Sequence, residues 1–398
     1  MADVKNFMVG FDTTTVDQIN KFANSIAYRD SKIRIMPDAH AGKGAVIGST
    51  MTYSDKIVPA TVGVDIACRV TAFNVGSLTN LDLYKLDEIC RNRIPTGSSV
   101  RQNEHEDSLI FPYESLYCWE NLKNHDRLRK SMGTLGGGNH YIELDRDKEK
   151  NEYWLVIHSG SRNLGKQVAE YYQDLALEER ENRIQNIKKY LKDDITYLRK
   201  TDAVNLIQKV IDISKSLINA EPSDDLCYIT GENMNHYLHD MRICNNFSFH
   251  SHMVIFKEIA NNMNWDSTQH ITCIHNYVDV DHNIIRKGAI AGYGGQMGLI
   301  PLNMRDGILV VKALGNQDWN CSLPHGAGRI MSRGQAHKKI SLKDFQTAMK
   351  GIVSSSVVKS TLDESPMAYK DAQAIIDAIR PNAKILIHMY PVWNFKAK

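Results

Sequence analysis

Trp154-Leu155-Val156-Ile157-His158-Ser159-Gly160-Ser161-Arg162-Asn163 joins an apolar run, a histidine, a small-residue loop and the start of a polar periodic segment. A short apolar run bounded by a turn predicts a buried strand. The Ser-Gly-Ser-Arg loop then opens a helix beginning near Leu164. Such a strand-to-helix turn offers backbone N–H groups and the helix dipole to an anion. Arg162 adds a bidentate donor for phosphate. The plainer alternative is a Ser N-cap beside a surface arginine.

Downstream, Leu175, Leu177, Ile184, Ile187, Leu191, Ile195 and Leu198 fall at helical spacings, and Val204, Ile207, Ile211, Leu217 and Ile218 continue the pattern. This predicts a projecting helical hairpin over about 165–220, broken near Lys192-Asp193-Asp194 or Thr201-Asp202. Further helices are expected at about 232–262, 342–350 and 370–379. Strand signals occur at 32–36, 45–47, 272–280 and 307–313. The order of segments predicts an α+β fold with a sheet-based core. We read 1–398 as one domain with the helical insertion at about 165–220.

Bulk properties narrow the class. The 398 residues carry 48 basic and 46 acidic groups, net +2, so a nucleic-acid partner cannot be read from total charge. The beginning of the sequence lacks signal-peptide character, and no apolar run is long enough to span a bilayer. Seven scattered cysteines argue against a disulfide framework, which makes the cytoplasm the expected compartment.

Chemistry-bearing residues sit beside glycines. In Gly63-Val64-Asp65-Ile66-Ala67-Cys68, Asp65 and Cys68 can face one metal from a single turn, and thiolate with imidazole suits a transition metal. The competing reading is a buried cysteine beside a turn aspartate. Gly136-Gly137-Gly138-Asn139-His140-Tyr141-Ile142-Glu143 offers an anion-cradling loop, a possible ligand in His140, and Glu143 toward a base or ribose. Cys273-Ile274-His275-Asn276 ends another strand with an imidazole. Pro324-His325-Gly326-Ala327-Gly328-Arg329 exposes His325 in a glycine-framed loop, with Arg329 and Arg333 expected on one face of a following helix. Together these point to metal-dependent phosphoryl chemistry. Hydrolysis, nucleotidyl transfer and ligation remain open.

These segments, with Met36-Pro37-Asp38-Ala39-His40, Arg286-Lys287-Gly288-Ala289, Asp363-Glu364-Ser365-Pro366, Tyr369-Lys370 and Lys396, resemble the RtcB family of RNA-splicing ligases over nearly the whole length. The resemblance implies the α+β fold of that family and two Mn²⁺ ions. Cys68 would bridge them, His158 and His275 completing one site and Asp65 and His140 the other. It implies that His325 is guanylylated by GTP. Asn139, Glu143, Asn303, Gly326, Ala327, Gly328, Arg329, Tyr369 and Lys396 would surround the nucleotide, and Arg162 and Arg329 would contact RNA or phosphate. The implied function is GTP-dependent joining of RNA 3′-phosphate or 2′,3′-cyclic phosphate ends to 5′-hydroxyl ends, on tRNA or rRNA, in splicing or RNA repair, by a monomer. The alternative is a metal-dependent cyclic phosphodiesterase acting on RNA ends without ligation; a non-catalytic RNA-end binder is a third possibility. Several positions depart from the family pattern: Ala67-Cys68-Arg69-Val70, where Arg69 is expected to put charge beside the ligands, Ile285, Asn303 and Ile308 in place of two serines, and Ser251-His252 in place of an Asn-Arg pair.

Overall fold

A computed structural model describes residues 2–10, 12–42, 44–267 and 269–396. The α+β expectation holds. Seven strands form the main sheet, in the order Met297–Asn303, Gly307–Ala313, Ala383–Lys396, Tyr141–Asp147, Glu152–Ser159, Arg69–Gly76 and Gln269–Ile274, with every pairing antiparallel. The sheet curls into a nearly closed barrel. Its two edge strands meet where the Leu299 N–H reaches Cys273 Sγ at 3.2 Å. A second sheet runs Asp3–Asn6, Lys32–His40, Ile47–Thr52, Ile284–Lys287, Asn276–Asp279. A two-stranded ladder pairs Ala289–Ala291 with Ser322–Pro324.

The opening stretch is a strand, Glu152–Ser159, buried on both faces. Alternation explains its unbroken apolar run. Trp154 and Val156 join the core inside the barrel, while Tyr153, Leu155 and Ile157 join a second core outside it. That outer core is covered by helices Leu83–Arg93 and Gly231–Met263, with Phe73 stacked on Phe256 at 4.1 Å. Each fully buried Leu or Ile here stabilises the fold by roughly 1.5–3 kcal/mol.

The hairpin is present. Helix Arg162–Lys200 has 39 residues and so runs about 60 Å. Its buried residues stop at Ala176, so the outer half leaves the body. Of the two places offered for the break, the second is the one used: Thr201 caps the helix and Asp202 takes φ 55°. Helix Ile207–Ala220 returns alongside, and Arg183 ties its end through Glu221 at 3.0 Å. Asp193 and Asp194 are exposed and interrupt nothing, since charge on a solvent face does not stop a helix. The remaining helices fall at Gly231–Met263, Leu342–Ala348 and Ala372–Ile379, close to expectation. The expected strand at 272–280 is two strands, broken at His275. Among the described residues, no helix is long and apolar enough to cross a membrane.

Candidate metal centre and nucleotide cleft

Antiparallel order gathers the site. Strands Arg69–Gly76 and Tyr141–Asp147 begin at the same sheet edge where Glu152–Ser159 and Gln269–Ile274 end. Cys68 and His140 immediately precede two strands, His158 lies near the end of the third, and His275 follows the fourth. Asp65 reaches the cluster from the turn before Cys68, where Ala67 takes φ 59° and the Ala67 N–H donates to the Asn276 carbonyl. The His275 N–H in turn donates to the Cys68 carbonyl at 3.0 Å. Residues more than 200 apart in sequence are thus pinned by backbone bonds.

Two triads share Cys68: Cys68, His158 and His275, and Asp65, Cys68 and His140, each with donor atoms within 4.8 Å of one another. Cys68 Sγ lies 3.3 Å from His158 Nε2 and 3.5 Å from His140 Nε2, and His140 Nε2 is 3.0 Å from Asp65 Oδ2. This cluster can hold a metal ion, and the donor set fits one. His140 Nδ1 is 3.0 Å from the Leu135 carbonyl, which fixes the tautomer that leaves Nε2 as a ligand atom. His275 Nδ1 is buried without a hydrogen-bond partner among the described residues, as expected of an atom reserved for a ligand. Burial and neighbouring imidazoles hold His158 and His275 well below the ordinary histidine value, hence neutral and able to coordinate. Burial alone would raise Asp65, but the His140 bond and the His140 and Arg162 charges bring it down to about 2. Burial and Asp65 push the Cys68 thiol well up, a cost that a bound cation would reverse.

A cleft of ≈ 1450 Å³ opens over the cluster. Its walls include Asp65, Cys68, His158, His275, Asn139, Glu143, Asn303, His325 through Arg329, Tyr369 and Lys396. His325 sits beside the cluster, its ring centroid 5.0 Å from that of His275. Its Nδ1 donates to Asp38 Oδ2 at 2.7 Å, which leaves Nε2 with the free lone pair. Asp38 is fully buried in strand Lys32–His40. The contact depends on Gly328, at φ 74°: a Cβ there would lie 1.9 Å from the Asp38 carbonyl oxygen. Sequence reading placed Asp38 in a matching segment but gave it no role, since nothing local ties it to a histidine 287 positions away.

Several side chains stand differently from expectation. Arg329 and Arg333 do not share a helix. The helix begins at Arg333 behind a Ser332–Gln335 capping box, and Arg329 lies before it in an isolated antiparallel bridge to Tyr369. Arg329 donates to the Met331 carbonyl, the Asp363 carbonyl and Glu364, so its donors are already engaged. Arg162 is turned inward. Its guanidinium passes over Gly136, where any Cβ would collide with it, and lies 3.1 Å from His140 Nδ1. Arg69 points away from the ligands toward Asn245 and Thr272, and burial lowers it to about 10. Asn303 lines the cleft but bonds its own turn through Asp306 and the Arg305 and Asp306 N–H groups. Ile308 is in the barrel core. Lys396 is held by Glu364 at 2.9 Å, and the Tyr369 hydroxyl donates to the same carboxylate at 2.8 Å. Burial alone would raise Glu364, but the Lys396 charge and its hydrogen bond keep it low.

Known proteins resemble this chain over most of its length. The family described as "tRNA-splicing ligase RtcB" matches residues 18–110 and 113–397. "RNA-splicing ligase RtcB1" of Escherichia coli (strain ATCC 25922) is 31% identical over 371 residues, covering 87% of this chain and 85% of its own. "RNA-splicing ligase RtcB" of Escherichia coli (strain K12) is 30% identical over the same coverage. "tRNA-splicing ligase RtcB" of Methanococcus maripaludis is 24% identical, covering 86% of this chain and 82% of its own. A match this long, on a chain that brings the glycine-flanked histidines to one sheet edge, makes this protein a member of the RtcB family.

Proposed function

We propose that this protein joins RNA 3′-phosphate or 2′,3′-cyclic phosphate ends to 5′-hydroxyl ends, using GTP and Mn²⁺ through a guanylylated His325. The observation that carries the reading is the Asp38–His325 pair set beside the histidine–cysteine cluster. In this reading Cys68, His158 and His275 would hold one ion, and Asp65, Cys68 and His140 would hold a second. The ions would neutralise phosphate charge and favour departure of pyrophosphate. The whole chain acts as one catalytic domain, with the hairpin as an insertion.

His325 supplies the nucleophile. Asp38 accepts a hydrogen bond from His325 Nδ1–H and fixes the tautomer, so the Nε2 lone pair attacks the α-phosphorus of GTP. A P–N bond forms, the bond to the bridging α–β oxygen breaks, and pyrophosphate leaves with that electron pair. An oxygen of the RNA 3′-phosphate then attacks the same phosphorus, and the P–N bond breaks to return neutral His325. The 5′-hydroxyl attacks the activated 3′-phosphorus, loses its proton, and GMP departs. A cyclic end is first opened by water. Asn139, Glu143, Tyr369 and Lys396 bind the nucleotide along the cleft wall. Arg162 sets its positive charge beside Asp65, and the Arg329 side chain braces the loop that carries His325.

Incubation with Mn²⁺ and α-labelled GTP should give an acid-labile protein label that is lost in His325→Ala. Opening of a cyclic phosphate without GTP, persisting in His325→Ala with no label in the parent, would instead establish the phosphodiesterase.

A further inference from the structure

Tyr141, Glu143 and Asp145 occupy alternate positions on the barrel-facing side of strand Tyr141–Asp147. Glu143 lines the cleft, and Asp145 sits one pleat farther from the metal cluster. Both are buried, at 4% and 0% exposure. Glu143 accepts from Asn394 Nδ2 at 2.7 Å. Neither oxygen of Asp145 meets a donor among the described residues. Across the ladder from it stand Pro391, which has no N–H, and Trp154, whose indole N–H is itself unpartnered. The group in hydrogen-bonding reach of the Asp145 carboxyl is Glu143.

Charge around the pair favours ionisation of Glu143 only. On Ala383–Lys396, the Lys396 ammonium pairs with Glu364 and its charge also lowers Glu143, while no cation among the described residues acts on Asp145. On Glu152–Ser159, His158 opposes Tyr141 and is held neutral, and Glu152 opposes Asp147 at the far end. On their own strand, Tyr141 is pushed up by burial, so it too is neutral. No ion pair to Asp145 exists among the described residues. Two buried carboxylates with one amide donor between them keep one proton well above the pH at which a solvated carboxylate loses it.

We propose that Asp145 is a positioning residue, which shares one proton with Glu143 and so fixes Glu143 as a singly charged acceptor facing the cleft, suited to a base edge with two adjacent N–H donors. The contact of Glu143 with a guanine base belongs to the function proposed above, on which this inference rests for its ligand. Asn394 and the Asp145 hydroxyl would hold Glu143 from behind. At alkaline pH the shared proton leaves, the two charges repel, and Glu143 loses its orientation. Base affinity then falls while chemistry at His325 is untouched.

The test is calorimetric titration of the Mn²⁺-loaded full chain with GMP, with unfolding midpoints recorded for every variant. The parent should bind roughly tenfold more weakly at alkaline than at neutral pH, the size of one lost hydrogen bond to a charged group. Asp145→Asn keeps a donor that does not titrate, so it should bind like the parent at neutral pH with a flat profile. Asp145→Leu should bind about tenfold more weakly throughout, raising KM for GTP without lowering kcat of labelling. Infrared difference spectra should show a protonated carboxyl band in the parent that Asp145→Asn lacks. Absence of that band, absence of GMP binding, or Asp145→Leu binding like the parent would each overturn the proposal. Ordinary GMP behaviour without a label on His325 would sink the ligase reading and leave this one standing. Normal labelling with indifferent Asp145 variants would do the reverse.

Discussion

Asp38→Asn isolates the contact on which the proposed chemistry turns. The parent carboxylate accepts from His325 Nδ1 at 2.7 Å inside a fully buried site. An amide of the same shape can still offer an oxygen, so packing around strand Lys32–His40 is preserved. What is lost is the charge that grows in value as His325 becomes a phosphorylated imidazolium. A hydrogen bond to a charged group contributes about 1.5–3 kcal/mol, which is roughly ten- to two-hundredfold in rate. Asp38→Ala also removes tautomer control, and its loss should be larger, on the order of 10³-fold or more by analogy with triad aspartates. The assay is the initial rate of protein labelling by α-labelled GTP at saturating Mn²⁺, with the unfolding midpoint measured in parallel. Asp38→Asn retaining more than half the parental rate would refute the reasoning. So would a rate loss that merely follows a fall in the midpoint.

Metal analysis offers an independent check: Cys68→Ala should lose both bound ions, and His275→Ala should lose one of two, as counted by elemental analysis. Equal loss in both variants would remove the shared-cysteine arrangement. Gly328→Ala should cost stability and most labelling, because its Cβ would meet the Asp38 carbonyl at 1.9 Å from a left-handed backbone; activity near parental would show that the loop can sit elsewhere. In metal-free protein, His158, His252 and His275 are held well below the usual histidine value by burial, and His40 is held at about 4 for the same first reason. Their depressed values mean that the unfolded chain binds more protons, so stability present above about pH 6.5 is lost as pH falls toward 4. Asp145 and Glu143, raised by burial, run the other way but are outnumbered. Calorimetry between pH 7.5 and 5 should therefore show a falling midpoint, and a flat or rising one contradicts this account. Excising 188–216 with a short glycine join should leave metal content unchanged and the midpoint within a few degrees, since buried positions of the long helix end at Ala176.

What the sequence could convey depended on range. Local periodicity revealed the hairpin, because amphipathic spacing is read within a turn or two, and strand Gly307–Ala313 was legible from its β-branched run. The metal cluster was legible only as residue types at glycine-flanked strand ends. That these ends share one edge follows from an antiparallel order no local signal encodes. Arg69 shows the opposite failure: adjacency to Cys68 suggested shared surroundings, yet successive strand residues face opposite sides. Arg329 misled for a related reason, since four-residue spacing implies a shared helix face only if a helix is there. Asp145 carried no signal at all, because its consequence comes from missing partners.

The strand that completes the main sheet has a bearing on when the protein becomes competent. Ala383–Lys396 is the third of the seven, between Gly307–Ala313 and Tyr141–Asp147. Until it is in place, the Met297–Asn303 and Gly307–Ala313 hairpin has no partner on one side, and the half-sheet bearing Cys68, His140 and His158 has a raw edge. Joining segments some 200 residues apart in an open chain costs about 5 kcal/mol in loop-closure entropy alone. A growing chain emerging from the ribosome would therefore hold the half-sheet that carries Cys68, His140, His158 and His275 apart from the Met297–Asn303 and Gly307–Ala313 hairpin until this segment is out. Synthesis order itself would leave the cleft wall without Lys396 until the end, and would make folding slow relative to a chain built from neighbouring contacts.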